Sequence, residues 1–465
     1  MEGVDVQTIK KNMAVLKLDE ILQATGGRVL CGMKQEFNGL SIDSRTIRKD
    51  ELFIPLKGER FDGHDFVHDA LNIGAGALVH LPPSNHLRGK TIIYVKNTLI
   101  ALHKIARYLR SKLPVPAICV TGTNGKTTVK ELISSIISQS NTVLKTEGNL
   151  NNHIGLPLSI SRMRGDETVI VAEMGSNAEG DIKTLCEIVY PEFGVVTNVG
   201  PAHLEGFGSL EMVRKTDLEI LDYVSVASLN ADDEFLMNGV NHFSGRMITY
   251  GIQEDADVTA REIVLKERSS TFSLCFREEN SIEIHLKLAG RFNISNALAA
   301  ASIAHIYGIH PLQIKDGMES FYGVPMRLEM KDFRDSLVIS DVYNANPASM
   351  EESIKELIRL KRRRTIAVLG DMLELGAYTE EAHTDLVRKI SDLSVDVLIA
   401  VGPAMQKAAS EFRGICHSAD TADNAREILL AVIGEGDTVL VKGSRGMRME
   451  DVIKDLPERG EWNAL

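Results

Sequence analysis

The segment VTGTNGKTT, residues 120–128, gathers the residue types that hold a nucleotide's phosphates. Lys126 brings an ammonium to the β and γ phosphates, and the Thr127 hydroxyl suits Mg²⁺. The backbone N–H groups of Gly122, Thr123, Asn124, Gly125 and Thr128 lie at a predicted helix start, where peptide dipoles favour anions. The common phosphate loop separates its glycines by four residues before the lysine. Here only Thr123 and Asn124 intervene. A tight glycine turn running directly into a helix is the physical requirement, and the shorter loop meets it.

Such a cradle needs a metal. Glu173 ends the apolar run VIVAE, where a carboxylate can ligate Mg²⁺ directly or through water. His203, in NVGPAHLEGFG, follows another apolar run by a short loop and can reach the same crevice. Lys126, Glu173 and His203 are therefore the candidate catalytic set.

These residues need a scaffold that brings strand ends together. AICV, before the loop, reads as a buried strand, and KTTVKELISSIISQ after it as a helix. TVIVAEMGS, FGVVTNVG and VASLNADD repeat the pattern of a short β-branched run ending in polar or glycine residues, as parallel strands do where their C-terminal ends line a site. TFSLCF and SIEIHLKL alternate around a turn at Glu278, Glu279 and Asn280, which predicts an antiparallel hairpin appended to that sheet. RTIAVLGD, VDVLIAVG and DTVLVKGS, each leading into a helical pattern, predict a further α/β unit.

A chain of 465 residues exceeds what one core usually organises. Leu102, Ile105, Ala106 and Leu109 form a helical stripe that Pro114 and Pro116 end, marking a boundary. Three α/β domains are expected, at 1–113, 114–326 and 327–465. The net charge of −12 argues against nucleic acid as a partner, and the basic run at 359–364 reads as a solvated helix end. The five cysteines show no metal spacing and read as reduced, mostly buried thiols. The N-terminus lacks a cationic start followed by an apolar core, and no apolar run nears the roughly 18 residues a bilayer span needs. A cytoplasmic protein without stable membrane insertion, expected to be a monomer, follows.

Taken together, these motifs resemble the Mur ligase family of ATP-dependent amide-bond-forming enzymes, whose phosphate loop carries the short GTNGKT spacing. The resemblance extends through GNLNNHIGLP (148–157), EMGSNAEGDI (173–182), NVGPAHLEGFGS (198–209), NADD (230–233) and GRFNISNALAA (290–300), in family order. It implies an N-terminal UDP-binding α/β domain, a central phosphate-loop ATPase domain on a parallel sheet, and a Rossmann-like C-terminal domain. DVYNANPASM (341–350) and LGDMLELG (369–376) resemble the branch that adds D-alanyl-D-alanine to UDP-N-acetylmuramoyl-tripeptide, the last cytoplasmic step of peptidoglycan precursor synthesis.

The resemblance implies ATP and Mg²⁺, with Thr127 and Glu173 on one ion and His203 on a second. Asn293 and Asn296 would orient the nucleotide, and Arg327, Asp341, Tyr343, Asn344 and Asn346 would close on it from the third domain. Ser44 and Arg45 would lie near the uridine diphosphate, and Asn149, Asn151, Lys442, Ser444 and Arg445 would serve the peptide substrate. One departure stands out. Where the family usually has a carbamylated lysine, two residues before a glutamate, this chain has Asp217 before Glu219. Lys215 lies about 200° away around a helix, so Asp217 is expected to supply the carboxylate itself. Alternatives are a ligase for the third residue, a folate-polyglutamylating relative, or a phosphate-loop module that hydrolyses ATP without an acyl acceptor.

Overall fold

Short runs of Val, Ile and Leu set the strands of three sheets in the computed structural model, which describes residues 15–58, 61–81, 89–277, 280–333 and 335–454. The first sheet runs Arg28–Cys31, Thr91–Tyr94, Gly76–Val79, Leu52–Phe53, Leu40–Ser41, parallel except for its first strand. A two-stranded ribbon, Leu16–Lys17 with Glu36–Phe37, stands beside it.

The helix Thr98–Lys112 is capped by the Asn97 side chain, which accepts from the Ile100 N–H, and it buries the predicted stripe of Leu102, Ile105, Ala106 and Leu109. That stripe packs against Gly155–Ile160 and Asp181–Val189, so one apolar cluster runs from Leu16 through Leu102 to Leu185. Arg110, itself buried, pins the junction by donating to the carbonyls of Val189 (2.6 Å) and Val115 (2.7 Å). Pro114 thus turns the chain without dividing the packing.

Among the described residues the central sheet has nine strands. Its parallel core places the loop-bearing strand Ala117–Thr121 between Val169–Glu173 and Phe193–Val196, with Val226–Asn230 next. Register sets Glu173 beside Val120 and Val196 beside Thr121, so the candidate groups emerge at one level. The predicted hairpin Ser270–Phe276 with Ile282–Leu286 is antiparallel, and a strand not expected from the pattern, Val258–Leu265, joins it to the parallel core. Of its predicted turn, Glu278 and Glu279 lie outside the described residues.

The third sheet is ordered Glu329–Phe333, Ser336–Asp341, Thr438–Lys442, Thr365–Gly370, Val397–Val401, Ile415–Ala419, parallel but for its first strand. Two readings are corrected here. The basic run is paired along its length: Arg359 reaches the Lys266 carbonyl (3.0 Å), Arg362 pairs with Glu267 (2.9 Å), Lys361 with Asp396 (2.9 Å) and Arg364 with Asp437 (2.6 Å). Folding brings the 265–270 turn of the central domain onto this run, which is why it is a domain contact and not a free helix end. Of the five cysteines only Cys119 and Cys186 are buried, since the sheet register leaves Cys31 and Cys275 half covered and Cys416 on an exposed strand face. No helix among the described residues is long and apolar enough to cross a membrane.

Asp341 and Lys442 are register partners on adjacent strands, and their side chains pair at 2.5 Å with Lys442 2% exposed. Burial works against ionised Asp341, but the Lys442 charge and the Ser353 hydroxyl outweigh it and hold the carboxyl below its ordinary range. Lys442→Ala would leave that carboxylate buried and unpaired. Its expected cost is about 3–5 kcal/mol, read as a lower denaturant midpoint, with much of the loss recovered when Asp341→Asn is added.

Candidate active site

Residues 122–125 follow the central strand as a tight turn and hand the chain to the helix Lys126–Ile137. Gly122 (φ 117°) and Gly125 (φ 83°) adopt backbone conformations that side chains disfavour, and they also lack room. A Cβ on Gly122 would lie 2.3 Å from Thr197 Oγ1, and one on Gly125 2.3 Å from Asn296 Oδ1. The neighbouring strand end braces the turn. Thr123 N–H donates to the Asn198 carbonyl (2.8 Å), Asn124 N–H to Asn198 Oδ1 (3.0 Å), and the Thr197 hydroxyl to the Asn124 carbonyl (2.6 Å). Thr197 is held in turn by Tyr250 and Asn230, which donate to its carbonyl (3.0 Å each). Asn198 and Thr197 were not singled out from sequence. Their signal was only their place in the TNVG stretch after an apolar run.

Lys126 folds back over the loop and donates to the carbonyls of Gly122 (2.5 Å) and Thr123 (3.1 Å). Burial lowers its pKa, Glu173 and Asp217 oppose that shift, and Arg327 adds to it. Glu173 is 3% exposed. Its Oε1 accepts from Asn151 (2.7 Å), while its buried Oε2 has no partner. A desolvated carboxylate oxygen without a donor fits a cation. Among the described residues no three His, Cys, Asp or Glu side chains gather into a metal cluster. Mg²⁺ does not require one, because it keeps several waters and takes one or two carboxylates together with phosphate oxygens.

Asp217 lies beneath the loop, where its Oδ1 accepts from the Thr121 hydroxyl (2.9 Å) and from Ser176 (3.4 Å), and it also takes a backbone bond from Gly122. Asp217, expected to supply a carboxylate to the metal, is thus also bonded by protein donors. Lys215 is on the surface, paired with Glu179 at 2.5 Å. His203, in the left-handed region at φ 52°, pairs through Nδ1 with Glu374 Oε2 at 2.5 Å. Burial pulls its imidazole below the ordinary value, Glu374 opposes this, and the Lys126 charge reinforces it.

The third domain reaches the loop at two further points. Arg327 stacks its guanidinium over Tyr343 and donates to Thr127 Oγ1 (2.9 Å). Asn346, which caps the helix Pro347–Arg359, donates to Asn124 Oδ1 (2.9 Å). Asn296 donates to Asn293 (3.1 Å), whose own amide is anchored on the Ala289 carbonyl (2.7 Å). Lys126, Glu173, His203, Asn293, Asn296, Arg327 and Asn346 line one cavity of about 980 Å³. Asn149, Asn151, Tyr343, Asn344, Lys442, Ser444 and Arg445 line it as well. Within it, the Lys442 ammonium is engaged by Asp341 and the Asn344 carbonyl, and Ser444 is occupied in accepting from Leu373 N–H (2.8 Å). Ser44 and Arg45 do not join them; Arg45 is on the first domain's surface, paired with Asp43 at 2.7 Å.

A short phosphate loop at the C-terminal edge of a parallel sheet, facing a cleft that another α/β domain closes, defines a nucleotide-dependent enzyme built on the three-domain ligase plan. Residues 36–110 match the model described as Mur ligase family, catalytic domain, 120–304 the Mur ligase middle domain, and 326–445 the Mur ligase, glutamate ligase domain. The UDP-N-acetylmuramoyl-tripeptide–D-alanyl-D-alanine ligase of Escherichia coli is 35% identical, covering 96% of this chain and 100% of its own. MurF from Acinetobacter baumannii shares the fold at a TM-score of 0.90 and 31% identity, covering 96% of this chain and 99% of that one. MurF ligase from Thermotoga maritima, in complex with ADP, matches at 0.80 and 29% identity, over 89% and 96%. The chain belongs to the Mur ligase family.

Two outcomes follow from this geometry. Gly125→Ala should abolish detectable ATP-analogue binding in calorimetry, because the added methyl meets Asn296 in a backbone region that disfavours it. Burial pushes Asp217 up to about 6, against the opposing Lys126 charge and the donors of Thr121, Gly122 and Ser176. The folded value exceeds the ordinary 3.8, so the native state binds the proton more tightly and stability falls as pH rises through that window. In metal-free protein, Asp217→Asn should therefore melt above the wild type at pH 8, and the gain should vanish below about pH 3.8.

Proposed function

We infer that this chain is an ATP-dependent ligase that joins D-alanyl-D-alanine to UDP-N-acetylmuramoyl-tripeptide, the closing step in making the peptidoglycan precursor. One observation carries the reading. The short phosphate loop, the unpartnered Glu173 oxygen and the third-domain contacts Arg327 and Asn346 share a single cavity, in a chain that matches ligases of this activity over its length.

The tripeptide's terminal carboxylate attacks the γ-phosphate of ATP in line, forming an acyl phosphate and ADP. Two anions must approach, and Lys126 and Arg327 lower that barrier by setting positive charge where negative charge accumulates. Thr127 and Glu173 would hold Mg²⁺, with the Asp217 carboxylate adding its charge from beneath the loop, and the bound ion would supply further neutralisation at the phosphate oxygens. His203, which lines the same cavity, would hold a second Mg²⁺. The amine of D-alanyl-D-alanine then attacks the acyl carbon, the amide forms, and phosphate leaves. Asn346 and Arg327 keep the third domain against the loop, which excludes the water that would hydrolyse the acyl phosphate. Asn293 and Asn296 orient the nucleotide. Ser44 and Arg45 take the uridine diphosphate, and Asn149, Asn151, Lys442, Ser444 and Arg445 present the peptide wall. We place this monomeric enzyme in the cytoplasm, where ATP and the nucleotide-linked precursor are found.

Phosphate release measured with UDP-N-acetylmuramoyl-tripeptide, with and without D-alanyl-D-alanine, tests the reading. Release that depends on both substrates is expected. Release unaffected by the dipeptide would point to a plain ATPase and sink the proposal. Tripeptides ending in lysine and in diaminopimelate, run in parallel, identify the accepted third residue.

A further inference from the structure

The carboxylate of Glu374 crosses from the third domain to His203 of the central domain. It sits on a short arm, residues 371–375, that is pinned at three successive positions. Asp371 accepts from the N–H groups of Met405 (2.7 Å) and Ala404 (3.2 Å). Met372 N–H donates to Nε2 of the fully buried His383 (2.9 Å), whose Nδ1 donates to the Thr379 carbonyl (2.6 Å). Leu373 N–H donates to Ser444 Oγ (2.8 Å). Beyond these anchors Glu374 turns into the left-handed region at φ 64°, and its carbonyl accepts from Glu205 N–H (3.0 Å). The His203 and Glu374 backbones are thus both bent to bring the two side chains together.

An exposed pairing of this kind usually contributes little, and the Glu374 side chain is 59% exposed. This one differs in being presented by a pinned arm and in engaging a particular ring nitrogen. When the neutral imidazole donates from Nδ1 to the carboxylate, Nε2 is left as an acceptor on a histidine that lines the nucleotide cavity. A carboxylate behind an imidazole selects the tautomer and aims the ring. We propose that Glu374 is a positioning residue that orients His203, so that the central domain's nucleotide site is complete only while the third domain is closed on it. Closure then does more than exclude water. It delivers the group that makes His203 a directed acceptor.

The kinetic part of the test rests on the ligase reading; the spectroscopic part does not. In the full chain, ¹⁵N resonances of the His203 ring, assigned by their loss in His203→Ala, should report one Nδ1–H tautomer in the wild type. Glu374→Ala should give a tautomer mixture, and Glu374→Gln, which keeps an acceptor oxygen, should restore the single form. Melting temperatures should match the wild type, because the arm's anchors remain. In the ligase assay Glu374→Ala should lower kcat about 10- to 100-fold with a smaller change in KM for ATP, and should cause no further loss in a His203→Ala background. An unchanged His203 tautomer in Glu374→Ala, or additive losses in the double variant, would overturn the proposal. If the wild type makes no product, the ligase reading fails and the ring resonances still decide the role of Glu374.

Discussion

The turn at residues 122–125 is the constraint on which the site depends. It presses so closely on the end of the neighbouring strand that the Gly122 Cα faces the Thr197 hydroxyl with no room for a methyl group. That closeness lets the Thr197 and Asn198 groups take up the loop's own N–H and carbonyl groups. With the Thr123 and Asn124 N–H groups spent on Asn198 and that of Gly122 on Asp217, the anion-binding dipoles of this cradle are those of the first helical turn, held in place by a loop that is already satisfied, and a preorganised cradle is where electrostatic catalysis draws its strength. Asn296 covers Gly125 from the other side, so the helix Arg291–Tyr307 and the loop are set against each other by one contact.

From that point the design is one of charge brought in from different parts of the chain. Lys126 opens a helix and Glu173 ends a strand of the central domain, while Arg327 and Glu374 come from the third domain. Each is partly neutralised by its neighbours, which makes the buried charges tolerable before ligands bind. The basic run at 359–364 plays a different part. By pairing with Glu267 and the 265–270 turn it ties the third domain to the central hairpin far from the chemistry, and it acts as a second point of attachment for a domain that closes over the site.

Much of this was legible from residues alone. The glycine turn, its lysine and threonines, and the apolar strands leading to polar ends announced a phosphate site on a parallel sheet, because local sterics and hydrophobic period dictate both. The helix stripe of Leu102, Ile105, Ala106 and Leu109 was legible for the same reason, but not that its apolar face would be shared with the central domain. The Val258–Leu265 strand was missed because only part of it alternates, and a bulge shifts its register between Arg261 and Val264. Glu374 was not singled out within LGDMLELG, because the group that gives it a role lies 171 residues away.

The sequence by itself determined which chemical groups are present and which local shapes they can take: a cradle that only glycine permits, helices begun by Asn97 and Asn346, and strands that end at Glu173 and Asp341. Tertiary structure alone decided how those groups are used. Lys442 became a buried counter-ion because register set it beside Asp341, and Asp217 became a prop beneath the loop because its helix turned it inward while Lys215 faced solvent. Pairings of this kind join residues about a hundred positions apart, and the free energy that selects them comes from burial and hydrogen bonding in the assembled fold, which no local stretch of chain contains.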